Sequence, residues 1–593
     1  MNARSVAVAA ALALAAAPRE ARAVAFDLGE RLVLRFDNTL RYNLGIRTDP
    51  VNAKIGSNPA FQAGEYKFSQ GDVTTNRLDL LSELDVIYDG RFGARVSAAA
   101  WYDQAYASGM ASGNPALEAQ GILGPYVGNR FSDYTRHRYE GLWGEFLDAF
   151  AFANLDLLGV PVTLKAGRHA LAWGESLMLT GAVHGIAYAQ VPLDLQKGFA
   201  TPGIEAKELY RPLAQVSIQA QLTPSLSVAA QCFLEWQSYL YPEGGTFLGG
   251  GDATFYGPDG QYRGPARGAP PGTPGTYIVN EGASRPGDTG EWGVALRWSP
   301  AWLDANVGLY YRRFSDKFAA VLVKDHPGGL GPLSPAIGSP LEYRQYYGEG
   351  IDLFGVSFAK QLLGASFGAD LSYRHDMPLL AQTLGNAVAP SAALAPVLFP
   401  HGAPRLIDNT YQARGDTLHA VLNAVGVISR PPGLSTLAWA VEVTYSRWLT
   451  VGDNPDMFFG EGYGVCRTDP ALVQAGLSKG RSDGCATRDA LGIGVGLTPT
   501  WLRAFSGVDV LFPMSISWTI TGNSPVSFGG NENSGTWGVG VAVDVLNRYR
   551  FDLRYADYFG STQDDGTRVT SINGVLAVLQ SRGNVAFTAK ATF

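Results

Sequence analysis

The sequence predicts an all-β fold: a transmembrane, antiparallel, up-and-down barrel of about 18 strands, with 16 as the alternative count. Three observations predict it. Charged residues are only 17% of the 593, glycine supplies 72, and Phe, Tyr and Trp together reach 11%; a typical soluble chain has about 25% charged residues and about 7% glycine. Apolar and polar residues alternate with period two in segment after segment, as strands with one oily and one wet face require. Short turns and long polar connections join these segments alternately, the rhythm of a barrel with turns at one rim and loops at the other. Several classes are excluded. Beyond residue 23 there is no run of about 18 apolar residues, which a membrane-spanning helix needs. A net charge of -7 argues against a basic nucleic-acid binder, abundant aromatics argue against disorder, and three cysteines are too few for a disulfide scaffold.

Taken in order, the chain opens on an address. Residues 1–4 are short and basic, 6–17 are an unbroken run of Ala, Val and Leu, Pro18 interrupts it, and Ala21-Arg22-Ala23 is a small-x-small cleavage site. Residues 1–23 are expected to be a secretory signal peptide, too short to span a bilayer, and 24–593 one outer-membrane barrel domain. In 32–47, Leu34, Phe36, Leu40, Tyr42 and Leu44 alternate with Arg35, Asp37, Thr39, Arg41 and Asn43. Segments 77–88 and 92–103 flank Asp89-Gly90, 146–157 and 162–169 flank Gly159-Val160-Pro161, and 213–222 and 226–237 flank Thr223-Pro224-Ser225. Segments 292–298 and 303–312 flank Ser299-Pro300-Ala301, 352–360 pairs with 365–374, and 418–428 and 437–445 flank Pro431-Pro432-Gly433. Segment 491–497 and a strand within 502–519 flank Thr498-Pro499-Thr500, and 537–545 and 549–558 flank Leu546-Asn547. The last strand sets Val585, Phe587, Ala589, Ala591 and Phe593 against Ala586, Thr588, Lys590 and Thr592. A terminal strand of this kind, left as an open edge, would invite aggregation; closing the barrel removes the edge. A final strand ending in Phe resembles the signal read by the barrel-assembly machinery of bacterial outer membranes. An even strand number puts both ends of the chain at the turn side, the periplasmic one. Residues 244–287 and 387–404, rich in Gly, Pro and Ala, are expected to be long extracellular loops.

Strand parity predicts a polar interior. Opposite Trp537, Val539, Val541, Val543 and Val545 stand Gly538, Gly540, Ala542 and Asp544, while Arg550, Asp552 and Arg554, and Glu442, Thr444 and Ser446, fall on inward positions. Charges of both signs suit a hydrated lumen bridged by ion pairs. Strand-end aromatics such as Trp292, Trp298, Trp439, Tyr445 and Tyr549 fit interfacial girdles.

The most informative stretch lies between strands, at residues 171–212. It is entered through Gly167-Arg168, followed by Trp173-Gly174-Glu175-Ser176, and it holds Thr201-Pro202-Gly203-Ile204-Glu205-Ala206-Lys207-Glu208. Together with Phe233-Leu234-Glu235-Trp236, the aromatic-rich strands and the terminal Phe, these runs resemble the proteobacterial outer-membrane family catalogued as domain of unknown function 1302. The likeness covers essentially all of the chain after the signal and is most specific at residues 145–250. The resemblance implies a barrel acting beside an inner-membrane pump of the resistance-nodulation-division type and a periplasmic lipoprotein-like carrier. It also implies passage of hydrophobic or lipid-like molecules, and no established catalytic residue. From the residues themselves, a segment carrying both charge and Leu, Ile and Tyr is poorly suited to a free surface loop and better suited to folding inward as a constriction or plug. A structural tether is the alternative. The expected constriction residues are Arg168, Trp173, Glu175, Lys207 and Glu208, with Arg168–Glu175 and Lys207–Glu208 as candidate lumen pairs.

Catalytic, metal and cofactor signals are weak, and neither a cofactor nor an enzyme activity is expected. Gly480-Arg481-Ser482-Asp483-Gly484 matches a hydrolase elbow but lies in a polar loop, without the strand and helix an elbow requires. The seven histidines (137, 169, 184, 326, 375, 401 and 419) contain no i,i+4 metal pair, and His169 and His419 read as lumen or strand-end residues. Gly492, Gly494 and Gly496 alternate on a strand, with no helix start to make a phosphate loop. Cys466 and Cys485 share one loop and are expected to be disulfide-bonded in an oxidising compartment, whereas Cys232 falls on an outward strand face.

Three functions compete. The first is a channel in the outer membrane of a Gram-negative bacterium for hydrophobic or amphipathic molecules, working with the carrier and pump. The second is a general or polysaccharide-type porin. The third is a lipid hydrolase built on a barrel, for which no Ser/His/acid set appears on adjacent inward positions. The apolar content of 171–212 favours the first.

Overall fold

In the computed structural model the strands close on themselves. The structure describes residues 24–27, 29, 31–201, 204, 206–263, 276–325, 341–381, 395–402, 404, 405, 407 and 410–593. The expected signal peptide, Pro202, Gly203, Glu205, His326 and parts of the two Gly- and Pro-rich connections lie outside them.

The main sheet has 20 segments. One, Val24–Asp27, lies along the edge of the first barrel strand, and two others, Val508–Leu511 and Met514–Thr521, are halves of one strand. This leaves 18 antiparallel staves, each paired with its neighbour in sequence. They are β1 (Leu32–Arg47), β2 (Val73–Tyr88), β3 (Phe92–Asp103), β4 (Gly141–Leu157), β5 (Val160–His169), β6 (Leu213–Thr223), β7 (Leu226–Phe233), β8 (Trp292–Trp298) and β9 (Asn306–Phe314). The second half comprises β10 (Ile351–Leu362), β11 (Ala365–Pro378), β12 (Arg414–Ser429), β13 (Thr436–Trp448), β14 (Asp489–Phe505), β15 (the two halves just named), β16 (Ser534–Val545), β17 (Tyr549–Phe559) and β18 (Asn584–Thr592). β18 pairs with both β17 and β1, Leu40 standing opposite Ala591, so no edge is left open. At the loop end, Glu65 bonds Arg47 (2.6 Å) and Arg582 (3.3 Å), and all three side chains are fully buried.

The turns follow from local chemistry. Asp89-Gly90, Leu158-Gly159, Leu363-Gly364 and Leu546-Asn547 each carry two successive positive φ angles; Leu158-Gly159 and Leu363-Gly364 are two-residue hairpins, which demand this, while Tyr88 pairs with Phe92 and Val545 with Tyr549 across three residues. The turn expected at Gly159-Val160-Pro161 is centred one residue earlier, because β5 already starts at Val160. The turn expected at Thr498-Pro499-Thr500 is not one. β14 runs through it to Phe505 and reverses at Ser506-Gly507. Pro499 has no N–H to give, but its carbonyl accepts from Phe512 at 2.9 Å, so the ladder survives the proline. The interruption in β15 is at Phe512-Pro513.

Large apolar side chains such as Leu309, Val356, Leu422, Val539 and Leu553 are exposed on the outer face. Inside, Arg550 pairs with Asp544 (3.2 Å) and Asp552 (2.9 Å), and Arg95 with Glu83 (2.6 Å). The long connections build further structure at the loop end: a four-stranded sheet from Gly260–Arg263, Thr276–Ser284, Ala320–Asp325 and Leu341–Tyr346, and several short helices. That sheet was not legible in the Gly- and Pro-rich stretch that contributes to it.

Candidate functional site: a segment across the lumen

After His169 the chain leaves the wall. His169 is itself a strand-end residue, its imidazole bonded to Ser217 (2.8 Å) and its carbonyl accepting from Gln215 (2.7 Å). The chain then enters the lumen and meets two walls in turn.

The first wall is β9 and β11–β13. The Asp370 carboxylate accepts the backbone N–H groups of Glu175 (2.9 Å) and Ile186 (3.3 Å). The Glu442 carboxylate accepts those of Leu177 (2.7 Å), Met178 (3.0 Å) and Gly181 (3.0 Å). Arg312 donates to the carbonyls of Ile186 (2.8 Å) and Tyr188 (2.7 Å), and Arg374 to those of Val183 (2.9 Å) and Gly185 (3.1 Å). Asn423 donates to the carbonyl of Glu175. The segment's own backbone bonds are few, those of the short helix Leu179–His184 and the turns after it, such as Gln190 N–H to the Ala187 carbonyl (2.9 Å), and four buried wall charges satisfy other backbone groups of this irregular stretch.

The Trp173-Gly174-Glu175-Ser176 run is explained by this wall. Gly174 has φ +91°, and a Cβ there would stand 2.5 Å from the Asp370 carboxylate. Trp173, 2% exposed, is held by its own N–H on Gln190 (2.9 Å) and packs beside Tyr310. The Glu175 side chain is half-buried. Burial pushes its carboxyl up, and Arg297 and a bond to Ser357 pull it down.

A histidine pair completes this wall. His184 of the segment and His419 of β12 are both buried and face each other Nδ1 to Nδ1 at 3.0 Å. The Gly529 carbonyl can only accept, so the proton of His184 sits on Nε2 (2.9 Å) and its Nδ1 is a bare acceptor. His419 then donates from Nδ1 and accepts at Nε2 from the Thr417 hydroxyl (3.0 Å). The chain of bonds closes with both rings neutral, and burial lowers the His184 pKa to about 4.

The second wall is β1, β2 and β4, on the far side of the ring. Asp194 caps the short helix Leu195–Ala200 by accepting from the Lys197 N–H (3.1 Å). Arg138, from the connection before β4, pairs with Asp194 and with Glu145 (3.3 Å), and Lys197 pairs with Glu145. Lys207 reaches Glu83, and Glu208 reaches Arg41. Arg77, Arg138 and Lys197 surround the Trp101 ring at 5.0, 5.5 and 4.7 Å, in a cation–π arrangement.

Between the walls the segment contributes Val183, Ile186, Tyr188, Leu193 and Leu195 to a buried apolar cluster with Tyr239, Tyr241, Phe255, Phe318 and Phe528. Tyr239 stacks on Phe318 at 4.0 Å and Tyr241 on Phe528 at 3.9 Å. Below the segment, toward the turns, a cavity of about 290 Å³ is lined by polar groups including Glu175, Arg297, Ser225, Ser227 and Ser357.

Two expected pairings are corrected. Arg168 does not meet Glu175. It shares the outward register of the exposed Leu164 and Ala166, and pairs with Glu235 at 3.2 Å. Lys207 and Glu208 bond to the wall, where Glu83 and Arg41 wait with opposite charge, and not as a pair with each other. Sequence reasoning missed the wall anchors Arg312, Asp370, Arg374 and Arg41; their signal was charge on inward strand positions. The Gly480–Gly484 run forms a short 3-10 turn, with Ser482 accepting from Gln563 at 2.7 Å. Among the described residues no group of three or more His, Cys, Asp or Glu is placed to hold a metal ion. Cys466 and Cys485 are bonded, their Cα atoms 6.0 Å apart, against Leu398, Val465 and Leu472, and Cys232 is a free, exposed thiol.

A closed 18-stranded antiparallel barrel whose 171–212 connection bonds to inward-facing wall residues defines the class: a β-barrel with a segment folded against its inner wall. The chain belongs to the family described as Protein of unknown function (DUF1302), whose model matches residues 4–593. Among solved structures, it is similar to OccD3 (OpdP) of Pseudomonas aeruginosa, with 9% identity, 97% of this chain and 95% of that chain covered, and a TM-score of 0.38. It is also similar to Pseudomonas aeruginosa OpdK with vanillate (9% identity, 94% and 98% covered, TM-score 0.37). A BenF-like porin from Pseudomonas fluorescens Pf-5 gives 10% identity, 94% and 98% covered, and a TM-score of 0.37. No curated protein matches the chain.

Proposed function

We propose that the chain is a channel in the outer membrane of a Gram-negative bacterium, passing hydrophobic or amphipathic molecules through a lumen narrowed by residues 171–212. The observation that carries this reading is the buried apolar and aromatic cluster centred on Ile186, Tyr188, Tyr241 and Phe318, inside a barrel whose wall is otherwise polar. A sugar or ion route has no use for such a cluster, whereas an amphipathic cargo can slide along its margin with its head group on the flanking charges. A periplasmic carrier and an inner-membrane pump of the resistance-nodulation-division type are part of this proposal. They rest on the family resemblance drawn from the sequence. Assembly would proceed through the barrel-assembly machinery, and outer-membrane lipids would cover the apolar outer face.

A polysaccharide-type or general porin is the second reading, and the polar cavity below the segment favours it. Proteoliposomes separate the two. The barrel should admit a bulky hydrophobic fluorophore bearing a charged head faster than a neutral oligosaccharide of equal size. Faster oligosaccharide flux would establish the porin reading instead.

A further inference from the structure

The turn rim is unusually apolar. Leu158 and Leu363 each occupy a two-residue hairpin and Leu546 a three-residue one, with φ of 58°, 54° and 54°, a left-handed conformation that strains any side chain and favours Gly or Asn. Leu158 is 105% exposed and Leu363 95%, so within the barrel neither gains burial in return for that strain. Trp302 is exposed on a further turn, and Leu502 and Phe505 at the end of β14 that leads into the Ser506-Gly507 turn. These tips follow the fourth, eighth, tenth, fourteenth and sixteenth staves, so they ring the barrel and do not cluster on one sector.

We propose that this ring is sunk in the periplasmic leaflet of the membrane, with lipid, not aqueous periplasm, covering the turn tips. Continuity with the lipid-facing wall supports it. Exposed Leu157 leads directly into Leu158, Leu362 into Leu363, and Trp501 and Leu502 toward Phe505; Trp298 packs edge-on against Trp302 at 6.0 Å. The distribution around the ring suits a surrounding leaflet better than a protein docked at one side. The exposed Arg91 and Arg430 on neighbouring turns, and Arg503 beside Leu502, match lipid phosphates in charge. The inference rests on the proposed outer-membrane reading and deepens it: the lumen would open flush with the leaflet, so that an amphipathic cargo could enter from lipid.

The test is depth-dependent fluorescence quenching in proteoliposomes. A bimane label is placed at single cysteines replacing Leu158, Leu363, Val356 on the outer wall, or Gln120 on a long loop. The background is Cys232→Ala, with the Cys466–Cys485 disulfide left oxidised, and each variant is confirmed as a folded barrel by heat-modifiable migration. Lipids brominated near the head group should quench positions 158 and 363, and aqueous iodide should quench them about threefold less than position 120. Iodide quenching at 158 and 363 equal to that at 120, with 356 still reached by brominated lipid, would overturn the sunken rim and leave the membrane reading standing. Iodide quenching at 356 as well would overturn the membrane reading itself.

Discussion

The two halves of the lumen segment are held in different ways. Residues 175–188 give their backbone to the wall: Asp370 and Glu442 collect five N–H groups, and Arg312 and Arg374 collect four carbonyls. Residues 194–208 give their side chains, through Asp194, Lys197, Lys207 and Glu208. Breaking a contact between a buried charge and a backbone group strands a buried donor or acceptor unless a neighbour takes it up, as the Tyr188 N–H does for the Gly185 carbonyl (3.3 Å). Side-chain pairs, where half-exposed as Lys207 is, are screened by salt. The first half is therefore the end fixed through its backbone, and the second the end held through its side chains.

The largest effect is expected at the fixed end. Glu442→Ala leaves the N–H groups of Leu177, Met178 and Gly181 without their acceptor. It should cost the local fold about 3–5 kcal/mol, read as faster hydrogen exchange at these amides while the barrel strands stay protected. Exchange unchanged at these amides would remove the distinction between the two ends. At the end held through side chains, Glu208→Gln leaves Arg41 buried without its charged partner. A loss of about 2–3 kcal/mol is expected there, with exchange rising in 194–208 and not in 175–188.

Acid should act on the fixed end. The His184 pKa lies at about 4, below its ordinary 6.5, because burial disfavours the charged ring and the nearby Arg374 adds to this. The contribution of the neutral pair is therefore complete above pH 6.5 and is lost as pH falls toward 4. A proton added at His184 Nδ1 would also set two N–H donors face to face. Channel current followed from pH 7 to pH 4 should become noisier in the wild type, and the transition should vanish in His184→Gln. The smallest effect is expected from Lys207→Ala, whose side chain is half-exposed: below about 1 kcal/mol, and erased by high salt. A salt-independent loss of several kcal/mol would contradict the reading of Lys207–Glu83 as a screened, half-exposed pair.

Much of this architecture was legible beforehand, for physical reasons. Strand parity is a local property, so all 18 staves and the inward facing of Glu442 and Asp552 could be read from alternation alone. Pro499 misled because proline is a local turn signal, while the outcome depended on where its missing N–H fell in the ladder. Arg168 was misplaced because its chemistry suggested a lumen pair, although its parity with Leu164 already pointed outward. The partners of Lys207 and Glu208, Glu83 and Arg41, are over a hundred residues away in sequence, and only the closed ring brings them near. The choice of partner across a lumen is a tertiary event that no period or spacing encodes.

The central claim is that residues 171–212 cross the lumen and narrow it. His169 and Leu213 are register partners on adjacent staves, so the segment can be replaced by a short Gly-Ser turn without opening the wall. The most direct measurement is the single-channel conductance of this deletion variant in planar bilayers beside the wild type. A folded barrel with several-fold higher conductance and raised leakage of bulky hydrophobic compounds is the expected result. Unchanged conductance and permeability in a folded variant would contradict the constriction and leave the segment as a structural tether.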